Sequence, residues 1–390
     1  MKILLVGEYS RLHNSLKEGL MTLGHQVTII GCGDYFKNYP VDIKFIRPYQ
    51  SGVMKYLKNL IYRLTGFDWA SWHIKNQFFN RAQDFKNYDV VQLINESPLG
   101  IAPRDEAAIV GYLRQYNPLL FVLSCGTDYI SVRYAMDQKF RYSILTPLFE
   151  NKVTAKDYAP ILKYMEPQFV ALHHKVMSWT DGVIATDLDY HIPMMGQEKY
   201  LGLIPNPINT DLLQDNATAK EDNKEQETQN DLITIFHGIN TKNYFKKGSD
   251  YFEQALKEIQ KKYADQVRII TTRDVPYHDY ITAYSQADII LDQVLGYDQG
   301  YNALEAMAQG KIVFTGAEQE WLDHYQLAPD TVAINAMPDA EAIAQKLSWL
   351  IDNPEVRRTI AQKARLFIEE SHQYQNIAKQ YLNAWQQKEN

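Results

Sequence analysis

The chain has 390 residues, 45% of them hydrophobic and 22% charged; that is too long for one ordinary domain, so two globular domains are expected. Its 40 basic and 47 acidic side chains leave a formal charge of −7, which argues against general nucleic-acid binding. The two cysteines, Cys32 and Cys125, lie far apart, which argues against a disulfide framework and a cysteine-built zinc site.

The opening "MKILLVGEYS" is apolar for only a few residues and has no small-residue cleavage site, so it reads as a first strand rather than a signal peptide. No apolar run approaches membrane-spanning length, and a reducing cytoplasmic setting is the expectation. After the strand "KILLVG" comes a helical stretch, "RLHNSLKEGLMTLGH", with Leu12, Leu16, Leu20 and Leu23 on one face. "QVTIIG", "YDVVQLI", "LLFVLSCG" and "DGVIAT" are further strands with helices between them, the signature of parallel βαβ units.

Between "QVTIIG" and "YDVVQLI" lies a different segment. Residues 43–67 contain Lys44, Arg47, Lys55, Lys58 and Arg63 and no acid, and Val53, Met54, Leu57, Leu60, Ile61 and Leu64 form one helical stripe. A core-packed helix with a solvated basic face is the plainer expectation. A basic amphipathic helix lying on an anionic membrane is the sharper one.

From Asp215 to Asp231 there is no large apolar residue, so this stretch is expected to be a solvated linker. The βα rhythm then restarts with "LITIFHG", "SDYFEQALKEIQKKY", "QVRIITT", "HDYITAYSQ", "ADIILDQ", "YNALEAMAQ" and "KIVFTG". The remainder is helical, with a new helix expected at Pro354 after a cap at Asn353. The fold class is therefore α/β, with two Rossmann-like doubly wound domains facing across a cleft. Ligands of open α/β sheets bind at the carboxyl ends of the strands.

One loop carries the chemistry. After the strand at Ile289–Leu291, the loop 292–300 holds Gly296 and Gly300, which permit positive φ or close approach. The helix expected from Tyr301 opens with free amides and a dipole that favour an anion, and Gly310 ends it. Asn302, Glu305 and Gln309 share one face. Glu305, one turn in, is placed to accept hydrogen bonds from the two hydroxyls of a ribose, although an ordinary exposed helix residue has the same spacing. Lys246 and Lys247, in the loop before Gly248, are placed to neutralise a diphosphate. Arg273, after "QVRIITT", is a third candidate cation.

Three other patterns weigh less. Asp187-Leu188-Asp189 is an Asp-x-Asp that occurs readily by chance, adjacent His173 and His174 read as a surface pair, and "GCG" at 31–33 lacks the third glycine of a dinucleotide fingerprint.

Together, "KKG" (Lys247, Gly248), "AYSQADIIL", "YNALEAMAQGK" after Gly300 (Glu305, Ala306, Met307, Gly310), "IDNPEVRRTIAQKAR" and "LIPNPINTDLL" resemble the retaining glycosyltransferases of family four, which have the two-Rossmann GT-B fold. "LLVGEYS", "GHQVTII", "YDVVQLIN" and "SCGTDYI" resemble them more loosely. Three positions depart from the family pattern. Tyr297 stands where the family has the first of two glutamates, Ile239 replaces the arginine of a Gly-Arg pair, and Cys125 replaces the histidine of a His-Gly-x-Asp motif.

The resemblance implies an acceptor-binding domain over 1–205, an interdomain segment and linker over 206–231, and a nucleotide-sugar-binding domain over 232–371, with a helix over 372–390 returning to the N-terminal domain. It implies transfer of a sugar from a nucleoside diphosphate to an acceptor hydroxyl, with anomeric retention and with neither metal nor cofactor. Lys247, Glu305 and Asp128 would be the catalytic residues. Lys246, Lys247, Gly248, Arg273, Asp298, Gly300, Tyr301, Asn302 and Glu305 would hold the donor; Glu8, Tyr9, His13, Gly126, Thr127 and Asp128 would hold a glycan or lipid-linked acceptor. The expected setting is surface polysaccharide or glycolipid synthesis, in the cytoplasm at the inner face of the membrane. A catalytically impaired sugar-nucleotide-binding partner subunit and a sugar-nucleotide epimerase are the alternatives.

Overall fold

The computed structural model describes residues 1–33, 39–213 and 232–386. The polar stretch 215–231, expected as a linker, lies outside the described residues. The chain divides into two compact units, one of Met1–Arg133, Pro160–Pro207 and Tyr374–Asn390, the other of Tyr134–Ala159 and Ile208–Gln373. Residues 134–159, assigned from sequence to the N-terminal domain, therefore belong to the second unit.

The first unit is built on seven parallel strands: β1 (Lys2–Val6), β2 (Gln26–Gly31), β3 (Ile43–Lys44), β4 (Val90–Leu93), β5 (Leu119–Ser124), β6 (Gly182–Ala185) and β7 (Tyr200–Leu203), in the order β3-β2-β1-β4-β5-β6-β7. Strands covered on both faces read as continuous apolar runs, and Ile3, Leu4, Leu5 and Val6 are all fully buried. At the end of β1, Gly7 has φ 87°, and a Cβ there would lie 2.3 Å from Ile94 Cγ2 and 2.6 Å from the Pro98 carbonyl oxygen. Only glycine allows the chain to turn there into the Leu12–Thr22 helix.

That helix packs on the Tyr374–Gln386 helix. The two backbones approach at Gly19, where a Cβ would sit 2.5 Å from the Tyr374 carbonyl oxygen and 2.9 Å from Ala378 Cβ. Trp385, fully buried, donates from Nε1 to Gln92 Oε1 at 3.0 Å. The last described helix is thus part of the first unit's core.

His13 is also wholly buried, its Nδ1 2.7 Å from the Gly7 carbonyl oxygen. It was assigned to acceptor contact, but a ring closed off from solvent serves the core instead. Burial lowers its pKa from 6.5 to about 4, against the raising effect of the Gly7 hydrogen bond, so it stays neutral in the fold while the unfolded chain protonates it below pH 6.5. The stability it contributes is complete above pH 6.5 and is lost as pH falls toward 4. Urea titrations at pH 7 and pH 5 are expected to show a pH-dependent loss about 2 kcal/mol larger in the wild type than in His13→Asn.

The second unit has five parallel strands: β8 (Ile233–Ile239), β9 (Val267–Arg273), β10 (Ile289–Leu291), β11 (Ile312–Thr315) and β12 (Ile334–Asn335), in the order β12-β11-β10-β8-β9. Ile235, Ile289, Leu291, Ile312 and Phe314 meet Phe252, Ile259, Leu347 and Leu350 in its core. The short strands β3, β7 and β12 were not foreseen. Asn353 precedes the Pro354–Ser371 helix, but its side chain makes no cap; Nδ2 instead donates back to the Trp349 carbonyl at 2.8 Å.

Candidate functional site

The site in the second unit is assembled at the carboxyl ends of β8, β9 and β10. Lys247 lies in the loop after β8 and donates from Nζ to Asp292 Oδ1 at 2.8 Å, directly beyond β10. The Asp292 side chain is only 6% exposed and its backbone nitrogen donates to the Phe314 carbonyl at 2.9 Å, so the ammonium is tied to the sheet edge. Gly248 has φ 69°, and a Cβ there would lie 2.6 Å from Val294 Cβ. It was assigned to donor contact. Its role in the fold is to let the lysine loop sit against the 292–300 loop, where the Val294 nitrogen donates to the Lys247 carbonyl at 2.9 Å.

Burial pushes His237, at the end of β8, down to about 4, and the charges of Lys247 and Arg273 add to the shift. Lys246 is lowered by burial and then by Lys247. Arg273 is exposed, pairs with Glu253 Oε1 at 2.8 Å and lies over the Tyr244 ring at 5.4 Å.

The Tyr301–Ala308 helix begins at Gly300, whose φ of −75° and ψ of 163° any residue adopts. Of the two readings of this glycine, positive φ or close approach, the first does not apply. What glycine leaves at this point is room, since a Cβ would meet only Asp292 Oδ2 and Gln293 Oε1, each at 3.8 Å. Ala303, Leu304 and Met307 are buried, while Asn302 and Glu305 on the other face are half-buried. Tyr301 is buried, and the Asn302 carbonyl accepts from Tyr284 OH at 3.1 Å.

Tyr280 and Tyr284 stack at 5.9 Å between ring centres beside this helix start. Burial raises both Tyr280 and Tyr284, and the charges of Asp292 and Glu305 reinforce it in each. Tyr280 covers the end of β8 closely enough that a Cβ on Gly238 would fall 2.5 Å from its ring. Lys247, Asp292, the helix start at Gly300 and the two tyrosines are thus gathered at the ends of β8 and β10.

Asp298 is buried beside them, with Oδ1 accepting from the Gln299 nitrogen at 2.6 Å. Its neighbour Tyr297 is held by residues 134–159. Its hydroxyl accepts from the Arg141 nitrogen at 2.8 Å, the Arg141 guanidinium lies 4.7 Å from its ring centre, and Phe140 packs at 4.9 Å. Arg141 also pairs with Glu318 and Glu320, and Tyr142 bonds Glu318. This position braces the loop from behind.

In the first unit, the assigned acceptor residues line the ends of β1 and β5. Glu8 is buried, with Oε2 accepting from Asn14 N at 2.9 Å and Asn14 Nδ2 at 2.6 Å. Asp128 is buried at the start of the Tyr129–Met136 helix, accepting from the Ser131 nitrogen at 2.7 Å and from Ser124 Oγ at 2.5 Å. Both carboxylates stabilise helix starts. Gly126 has φ 68° and places its backbone under Tyr9, and the Thr127 carbonyl accepts from Asn95 Nδ2 at 3.2 Å.

Sequence reasoning missed Glu96, after β4. Its Oε2 lies 2.6 Å from His173 Nδ1, its Oε1 accepts from the Tyr129 nitrogen at 3.0 Å, and both acid and imidazole are buried. Burial raises Glu96, against the hydrogen bond from His173. His173 was taken as half of a surface pair; only His174 is exposed. The helical turn after Pro167, which points His173 and His174 apart, was the available signal. Asp187 caps the Leu188–Met194 helix through the Tyr190 nitrogen at 3.3 Å.

Residues 246–383 match a family model described as glycosyl transferase-like. No curated protein matches the chain by sequence. Among solved structures, the chain is similar along its whole length to sucrose-phosphate synthase from Thermosynechococcus elongatus, with TM-score 0.61, 15% identity and 99% of each chain covered. It is also similar to HepE from Anabaena in complex with UDP, with TM-score 0.53, 12% identity, and 99% of this chain and 100% of that one covered. The UDP-GlcNAc 2-epimerase from Neisseria meningitidis, bound to UDP-GlcNAc, gives TM-score 0.52 at 14% identity, with 99% and 100% covered. The seven-stranded and five-stranded parallel-sheet units are those of a GT-B fold, and the glycosyl transferase-like segment lies in the second as far as Gln373.

Proposed function

We propose that this protein is a glycosyltransferase that moves a sugar from a nucleoside diphosphate, UDP being the favoured nucleotide, to an acceptor hydroxyl with retention at the anomeric carbon. The observation that carries the reading is the Lys247 ammonium, bonded to Asp292 at the end of β10, with Gly300 at the start of the Tyr301–Ala308 helix so near that a Cβ there would lie 3.8 Å from Asp292 Oδ2. The glycosyl transferase-like match over 246–383 supports the reaction class. The UDP and UDP-GlcNAc named with two similar structures support the donor class.

In this reading the bond between C1 of the sugar and the diphosphate oxygen breaks with its electrons passing to the diphosphate. Lys247, with Lys246 and the amides of Tyr301 and Asn302, stabilises that charge. Glu305 accepts from the ribose hydroxyls and Asp298 lies toward the sugar. The acceptor oxygen bonds to C1, and its proton goes to a diphosphate oxygen. Glu8, Tyr9, Gly126, Thr127 and Asp128 position the acceptor, a glycan or lipid-linked sugar of surface polysaccharide or glycolipid synthesis.

The epimerase named among the similar structures keeps a second reading, donor rearrangement without an acceptor. One experiment separates the two. The protein is incubated with UDP-, GDP- and ADP-sugars, with and without glycan acceptors, while nucleoside diphosphate and sugar identity are followed. Nucleoside diphosphate release that depends on acceptor supports transfer, whereas an epimerised donor without acceptor supports the alternative. The favoured nucleotide is also expected to raise the melting temperature, since a ligand at a hundred times its Kd stabilises the native state by about 2.7 kcal/mol. No shift with any nucleotide would count against both.

A further inference from the structure

We infer that the helix Gly52–Thr65 docks this protein on an anionic lipid surface. The helix buries none of its residues, so the expectation of a core-packed helix fails. Its apolar side is turned outward, with Val53 81% exposed, Leu64 76% and Leu60 53%; Leu57 and Tyr56 are exposed beside them. At 100° per residue, Val53, Leu57, Leu60 and Leu64 fall in one narrow arc. Lys58 and Arg63 flank that arc on opposite sides, and Lys55 lies behind it. Phe67 follows the helix and Trp72 packs near it at 6.4 Å, so exposed aromatic surface extends the apolar stripe.

Charge decides the occupant. Residues 43–67 carry only basic charge in a chain whose formal charge is −7. A second copy of this chain meeting the same helix through a two-fold contact would bring cation against cation. An anionic bilayer matches both halves of the pattern. Its acyl boundary takes the leucine arc, its headgroups take Lys58 and Arg63 at the flanks, and Tyr56 sits at the interface where amphipathic rings are favoured. Among the described residues no helix is long and apolar enough to cross a membrane, so the contact is one of lying on the surface.

The test is flotation of the full chain with vesicles of phosphatidylcholine, with and without phosphatidylglycerol. Binding is expected only with phosphatidylglycerol, and it is expected to weaken as salt rises. Lys58→Glu/Arg63→Glu is expected to lower the partition coefficient by at least about twenty-fivefold, because each basic residue near an anionic surface contributes a factor of roughly five. Val53→Glu/Leu64→Glu is expected to abolish binding. None of these positions is buried, so circular dichroism melts should be unchanged in both variants. Absence of a floating fraction with phosphatidylglycerol, or full binding by the charge-reversed variant, overturns the inference. So does a dimer in sedimentation that Val53→Glu/Leu64→Glu dissolves.

Discussion

Replacing Lys247 with alanine is expected to lower kcat/KM for the sugar donor by about ten- to a hundredfold, the loss of one charge-assisted hydrogen bond worth roughly 1.5–3 kcal/mol in the transition state. The substitution has a second effect. Lys247 is the cation bonded to Asp292, whose side chain is almost fully buried, and a buried carboxylate left without its counter-ion destabilises the fold. Lys247 itself is one-third exposed, so solvent reduces that penalty. The two effects separate by temperature. Kinetics taken well below the variant's melting point report the lost ammonium, while the melt reports the stranded acid. Kinetics unchanged in the folded variant remove Lys247 from the site.

The second large effect is expected at Gly316, after β11. A Cβ there would fall 2.5 Å from the Gly296 carbonyl oxygen, 2.6 Å from the Asp298 carbonyl oxygen and 2.7 Å from the Asp298 nitrogen. All three are backbone atoms and no rotamer relieves them. The Gln299 side chain also donates to the Gly316 carbonyl at 2.6 Å, so two anchors bind the 292–300 loop to this residue. Gly316→Ala is expected to cost about 1–3 kcal/mol of overpacking, which in a unit of this size lowers the melting temperature by about 2–4 °C per kcal/mol. Because the loop carries Asp298 and leads into the Tyr301–Ala308 helix, nucleotide-dependent stabilisation should fall with it. A variant that melts and binds nucleotide like the wild type would show the loop to be free of β11.

Both residues stand in stretches that were legible in the sequence, Lys247 in "KKG" and Gly316 at the end of "KIVFTG". "KKG", "ADIILDQ" and "YNALEAMAQGK" combine a buried strand, a loop and a capped helix, and each is a local signal. Strands such as "KILLV" and "ITIFHGI" were legible for the same reason, since a continuous apolar run needs no partner to be read. β3 and β12, two residues each, carry no period.

What could not be read depends on distant partners. Residues 134–159 belong to the second unit because Arg141 meets Tyr297, Glu318 and Glu320, and no local pattern announces a contact that far along the chain. Glu96 and His173 are 77 positions apart. In the Gly52–Thr65 helix the stripe was plain, but which way it faced was decided by the rest of the molecule. His13 was misassigned because a strand-to-helix turn looks the same whether its histidine faces a ligand or the core.

The Tyr374–Gln386 helix has a consequence for biosynthesis. Gly19 and Trp385 show that the first sheet is covered by a helix translated more than 350 positions after β1. The Leu12–Thr22 helix therefore reaches its packed arrangement against Tyr374–Gln386 only after the residues of the second unit have been translated. The unit that begins first is completed last.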